Sequence, residues 1–216
     1  MTDTAFQLGK PALVCRWRLA GRHVPLLNRH MRALSQRRVN GEALSTNLLG
    51  WVKQHIEWSL AEDPAAVADG VLMIVVDEAG QAAMSTGAYE PLADASLEDL
   101  ALRAQTAQVE ASELGVAPEV LCTAEDGGIT IGLSTDVPAA GATSLVEHLA
   151  QTRGIALKRD PALPFRAVSG LVGGEAFLVS DEYGIVAATN AGCAQEDAGT
   201  VAFLSAAFEK LYDAVR

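Results

Sequence analysis

The chain of 216 residues holds only three cysteines, Cys15, Cys122 and Cys193, an odd number set far apart. No Cys-x-x-Cys pair or His/Cys cluster accompanies them, so the spacing supports neither a disulfide framework nor a zinc site. Long apolar runs are missing as well, because no segment approaches the ~20 apolar residues that span a bilayer. Met1 to Lys10 lack a basic patch followed by an apolar stretch. That pattern predicts no secretory leader and makes the cytoplasm the expected location. Nor is positive charge in excess: 16 Lys and Arg stand against 27 Asp and Glu, a net charge of −11. A surface of that sign repels phosphate, which disfavours nucleic acid or an anionic membrane as the main partner. A local basic patch stays possible, since the first 38 residues hold seven arginines. No internal repeat or low-complexity stretch is evident.

What is present is the composition of a folded chain. Half the residues are hydrophobic and 20% are charged, which excludes disorder. A chain of this size buries about 70% of its unfolded surface and needs no staples.

Patterning predicts an alternation of strands and helices. Leu13 to Leu19 reads as a strand, with Leu13, Cys15 and Trp17 on one face and Val14, Arg16 and Arg18 on the other. Pro25 can open a helix carrying Leu26, Leu27, His30 and Leu34. A second helix is predicted over about Leu44 to Glu62, striped by Leu48, Val52, Ile56 and Leu60. Val71 to Val76 is a continuous apolar run, the mark of a strand buried on both faces.

Pro91 to Ser96 reads as a joint, followed by an alanine-rich helix, Leu97 to Leu114, stopped at Gly115. Strands at Val120 to Thr123 and Ile129 to Ser134 flank the turn at residues 125–128. A helix from about Ala142 to Thr152, a strand at Ala156 to Arg159, a helical turn at Phe165 to Leu171, a strand at Glu175 to Ser180 and a helix from Ala198 to Val215 complete the chain. The expectation is α+β in two halves, residues 1–90 and 91–216.

The order of these pieces resembles the class IV (fold type IV) aminotransferases, the D-amino-acid and branched-chain aminotransferases and aminodeoxychorismate lyases. Gly141-Ala142-Thr143-Ser144 stands where that family begins a helix with Gly-Ile-Thr-Arg. Pro164-Phe165, Glu175-Ala-Phe177-Leu-Val-Ser180 and Gly184-Ile185-Val186 follow in the family's order. Phe6 to Gly9, Gly21, His30 with Leu34, and Ala107 to Gly115 agree more weakly. The resemblance implies two α/β subdomains with a cleft between them and a homodimer.

It also implies pyridoxal phosphate held as an imine on a lysine, and here the sequence departs from the pattern. The lysine belongs at or near Leu97, yet no lysine occurs between Lys53 and Lys158. The family's phosphate-binding arginine falls at Ala33, and Arg32 beside it is turned by about 100° on a helix. Ser180 is followed by Asp181 and Glu182, two carboxylates that repel a phosphate dianion. The loop bearing the family's glutamate is shortened to a tight turn between Cys122 and Ile129. These departures predict a member that binds no pyridoxal phosphate and has no other cofactor. Such a chain is a repurposed enzyme or small-molecule binder, with specialised metabolism as its setting. A non-catalytic scaffold that binds a partner is the first alternative. A divergent pyridoxal phosphate enzyme recruiting Lys158 or Lys53 is the second.

The candidate catalytic residues are Cys15, His30, Asp181 and Glu182, and the candidate ligand-binding residues are Trp17, Arg32, Thr143, Ser144 and Ser180. Each has a plainer reading. Cys15 is a small buried hydrophobe unless a basic neighbour lowers its pKa, and His30 is a core or interface histidine. Asp181 and Glu182 form a solvated turn, Thr143 caps a helix, and the arginines at 29, 32, 37 and 38 solvate one. Trp51 and Trp58, seven residues apart on one helical face, are core or dimer contacts.

Overall fold

The computed structural model describes residues 7–60, 62, 67–191 and 199–215. Its N-terminal half is a three-stranded antiparallel sheet in the order β1-β4-β5, formed by β1 (Pro11–Arg18), β4 (Gly70–Asp77) and β5 (Ala82–Ala88). Between β1 and β4 the chain makes α1 (Leu27–Leu34), a two-residue hairpin of β2 (Arg38–Val39) and β3 (Glu42–Ala43), and α2 (Thr46–Gln54). Leu13, Cys15 and Trp17 on one face of β1 and Leu72, Ile74 and Val76 on β4 meet Leu34, Val52 and Ile56 in one core.

The C-terminal half begins with α3 (Leu97–Leu114), whose Ser96 caps the Asp99 N–H and whose Gly115 ends it in a left-handed turn. A five-stranded sheet follows, ordered β10-β9-β6-β7-β8. Its strands are β6 (Glu119–Glu125), β7 (Gly128–Ile131), β8 (Ala156–Arg159), β9 (Glu175–Ser180) and β10 (Gly184–Ala187). All pairings are antiparallel except β7 with β8, which is parallel because α4 (Gly141–Arg153) carries the chain across.

Cys122, Phe177 and Val179 face α4 and α6 (Thr200–Asp213) through Val146, Leu204 and Phe208. Leu121 and Leu178 on the opposite face meet Leu100 and Ala104 of α3 and Leu163 of α5 (Leu163–Val168). β6 and β9 are therefore buried on both faces, which is why they read as near-continuous apolar runs.

Several boundaries differ from the sequence expectation for identifiable reasons. Pro25 does not open α1: Leu26 adopts a left-handed φ of 62° with no side-chain cap, and the helix starts at Leu27. The helix expected to reach Glu62 stays α-helical only to Gln54, then widens into a π-helical stretch, His55–Leu60. β5 went unread because AAMSTGA has neither alternation nor bulky β-formers; it forms by completing the ladder on β4. β7 ends at Ile131 rather than Ser134. The start expected for the last helix, Ala198, lies outside the described residues.

Candidate functional site

The two halves meet at the turn between β9 and β10, where Asp181 and Glu182 follow Ser180. Both carboxylates are buried, at 6% and 7% exposure, so the solvated-turn expectation is corrected. Burial is possible because each is held by specific partners. Asp181 Oδ1 accepts the Ala142 N–H at 2.8 Å, at the start of α4, where free N–H groups and the helix dipole favour an anion. Its Oδ2 lies 3.4 Å from His30 Nδ1 on α1, an electrostatic contact rather than a well-aligned hydrogen bond. Its backbone carbonyl accepts the Arg18 N–H at the end of β1, at 3.2 Å. One residue thus ties β1, α1 and α4 together. Burial pushes the Asp181 carboxyl up, but His30, the Ala142 N–H and the Arg37 charge outweigh it and hold the group below its ordinary 3.8.

His30 is a buried histidine, as expected, stacked on Trp17 with ring centroids 4.9 Å apart. Gly141 is what lets the imidazole approach α4, since a Cβ there would lie 2.3 Å from Nδ1. Glu182 takes a two-pronged contact from Arg16, Nε to Oε2 at 2.6 Å and Nη2 to Oε1 at 2.7 Å, the fork geometry that makes such pairs strong. Ser180 Oγ accepts the Glu182 and Tyr183 N–H groups and donates to Glu119.

Other expected site residues have different roles. Cys15 and Trp17 do not line the junction as an open surface; they pack in the N-terminal core. Burial pushes the Cys15 thiol up to about 11 despite the nearby Arg37, so this sulfur lacks the thiolate character of a nucleophile. Thr143 does not cap α4: Ala140 stands at the cap, and the Thr143 hydroxyl is fully buried without a partner among the described residues. Ser144 Oγ donates to Gly141 O and accepts from Arg29. Arg32 and Arg38 are exposed as expected, but Arg37 is not, being buried and paired with Glu110 at 2.8 Å. Trp51 and Trp58 are exposed rather than core residues, at 38% and 62%.

What the sequence reading passed over is the other face of β1. Arg16 and Arg18 reach across the junction, and the Arg18 guanidinium carbon lies 3.2 Å from the Tyr89 ring centroid. The alternation of β1 holds the signal, since it sets Arg16 and Arg18 together on the face opposite Cys15 and Trp17.

No family profile matches this chain, and no curated protein matches it. Solved structures match it in shape. A putative branched-chain amino acid aminotransferase from Thermotoga maritima has a TM-score of 0.55 at 14% identity, over 94% of this chain and 86% of that one. A fold IV-transaminase from Curtobacterium pusillum has a TM-score of 0.55 at 11% identity, over 100% and 91%. The PLP-bound form of a hypothetical aminotransferase from Mycobacterium tuberculosis has 0.52 at 12%, over 99% and 94%. The chain has the fold of the class IV aminotransferases, with mixed helix and sheet in the expected arrangement.

The expectation that no cofactor belongs here is corrected by the last of these, since a protein of the same fold holds pyridoxal phosphate (PLP). The residues nevertheless do not fit the covalent attachment of that group. All four lysines are exposed, whereas His30 and Asp181 are buried. Lys10 pairs with Glu78 and Lys53 with Glu57, Lys158 lines an open pocket with Glu125 and Asp126, and Lys210 lies in the last turn of α6.

Proposed function

We propose that this chain, built on the class IV aminotransferase fold, binds or converts a small molecule at the junction of its halves without a lysine imine. The halves correspond to residues 1–90 and 91–216. The observation that carries the reading is the placement of Asp181: the chain's own carboxylate takes the N–H at the start of α4, while every lysine is exposed elsewhere. Only an amine can capture an aldehyde cofactor covalently. His30 and Asp181 are a buried pair at the junction, and the buried Thr143 hydroxyl on α4 has a hydrogen-bonding capacity no described residue uses.

An amino-transfer assay tests this directly. The chain would be supplied with PLP, alanine or a branched-chain amino acid, and 2-oxoglutarate. No oxo acid should form above the rate of the free cofactor. Turnover abolished by one Lys→Arg substitution would overturn the reading.

A second copy of the chain is the partner we propose. Trp51 and Trp58 support this, as large apolar side chains left in solvent on α2 and the π-helical stretch. No helix among the described residues is long and apolar enough to cross a membrane.

A further inference from the structure

All three tyrosines of the chain, Tyr89, Tyr183 and Tyr212, gather at the junction around arginines from β1 and α3. Tyr89 and Tyr183 meet at 6.1 Å with ring planes tilted by 53°. Arg18 lies against the Tyr89 ring, and the Arg103 guanidinium carbon lies 5.2 Å from the Tyr183 centroid. Tyr212 comes in from α6 and lies beside Gly184, the residue after Tyr183. Gly184, with a φ of 72°, admits it, since a Cβ there would lie 3.3 Å from the Tyr212 oxygen. Tyr89, Tyr183, Tyr212, Arg18 and Arg103 are all half-buried, neither sealed in a core nor laid out on the surface.

The charges of this cluster do not balance. Arg16 is neutralised by Glu182 and Arg103 by Glu119 at 2.7 Å. Among the described residues Arg18 has no carboxylate within ion-pair distance and no acceptor on its guanidinium; its side chain lies on the Tyr89 ring. The Asp181 carboxylate is already engaged by Ala142 and His30. A half-exposed guanidinium laid on an aromatic ring without a carboxylate partner keeps its positive charge available to an anion from solution. Its planar fork suits a carboxylate, and its stacking on Tyr89 leaves the N–H edges free to donate.

We infer that Arg18, laid on Tyr89 in the tyrosine group at the junction, binds the carboxylate of a small organic acid that carries an aromatic or other planar apolar group. This deepens the proposed function by naming its ligand class, and it rests on that reading. The carboxylate pairs with the Arg18 fork while the apolar part lies among the tyrosine rings, where stacking and burial add to the ion pair.

The test is a calorimetric or NMR titration of the full chain with phenylacetate, using 2-phenylethanol as the uncharged counterpart and inorganic phosphate as an anion without a ring. Phenylacetate should bind saturably and at least tenfold more tightly than either control. Arg18→Gln should weaken it tenfold or more, and Tyr89→Leu severalfold, with the melting curve of each variant showing that it folds. If Arg18→Gln fails to fold, Tyr89→Leu and the two controls still decide. No saturable binding of phenylacetate, equal binding of 2-phenylethanol or phosphate, or affinity unchanged by both substitutions would each overturn the inference. A lysine-dependent amino transfer would sink the proposed function while leaving phenylacetate binding at Arg18 intact, so the two failures are separable.

Discussion

Asp181 concentrates more structural demand than any neighbouring side chain, because β1, α1 and α4 all meet at its oxygens. Its folded-state pKa lies below the ordinary 3.8. The stability it contributes is therefore fully present above about 3.8 and is lost as pH falls through the lower folded value. Asp181→Asn keeps the shape but removes the charge opposite His30 and Arg37. At neutral pH it should lose about 1.5–3 kcal/mol, the usual worth of a hydrogen bond to a charged group. Urea midpoints measured from pH 6 down to 3 should show the variant's deficit shrinking in acid. A deficit that stays constant with pH would mean the carboxylate charge does not matter.

The sequence marks His30, Asp181 and Thr143; the plain reading of His30 as a buried histidine agrees with the structure, while the solvated turn at Asp181 and the cap at Thr143 do not. Burial of Asp181 depends on contacts with residues 30 and 142, far away in the chain, which no local pattern encodes. The small-buried-hydrophobe reading of Cys15 came from the tendency of free cysteine to be buried and agrees with its place in the core.

At the scale of elements, the long α3, the apolar β4 and β9, and the crossover α4 were legible because each carries its own signal: caps, runs and stops. The tight turn between β6 and β7 was also legible, and Asp126 and Gly127 make it with φ of 51° and 76°, the conformation favoured in two-residue hairpins. β5 and the π-helical stretch were not, since they answer to neighbours rather than to local preference.

The approach of α1 to α4 likewise depends on one position. Gly141→Ala would drive a methyl to 2.3 Å from His30 Nδ1, forcing a shift with an overpacking cost of about 1–3 kcal/mol. Thermal melts should show that loss, and the Trp17 fluorescence should change as its stacked imidazole moves. A variant as stable as the parent would show that the α1–α4 contact is looser than described.

The whole molecule joins a small sheet and a larger one through charged and aromatic side chains, and it leaves Trp51 and Trp58 in water. If those residues serve a second copy, light scattering behind size exclusion should return twice the 22.6 kDa chain mass. Trp58→Ser should then shift the population toward monomer without lowering the monomer's helical signal. A wild-type chain that stays monomeric at high micromolar concentration would remove the dimer from the account.

The fold belongs to a scaffold on which PLP is held elsewhere, and here the junction is organised around an internal carboxylate while the lysines lie outside. Reductive trapping decides between these two facts. Full-length chain would be incubated with equimolar PLP, treated with borohydride and mapped by peptide mass spectrometry. The account predicts at most scattered, substoichiometric modification of Lys10, Lys53, Lys158 and Lys210. One lysine modified to near completion at equimolar cofactor would contradict it.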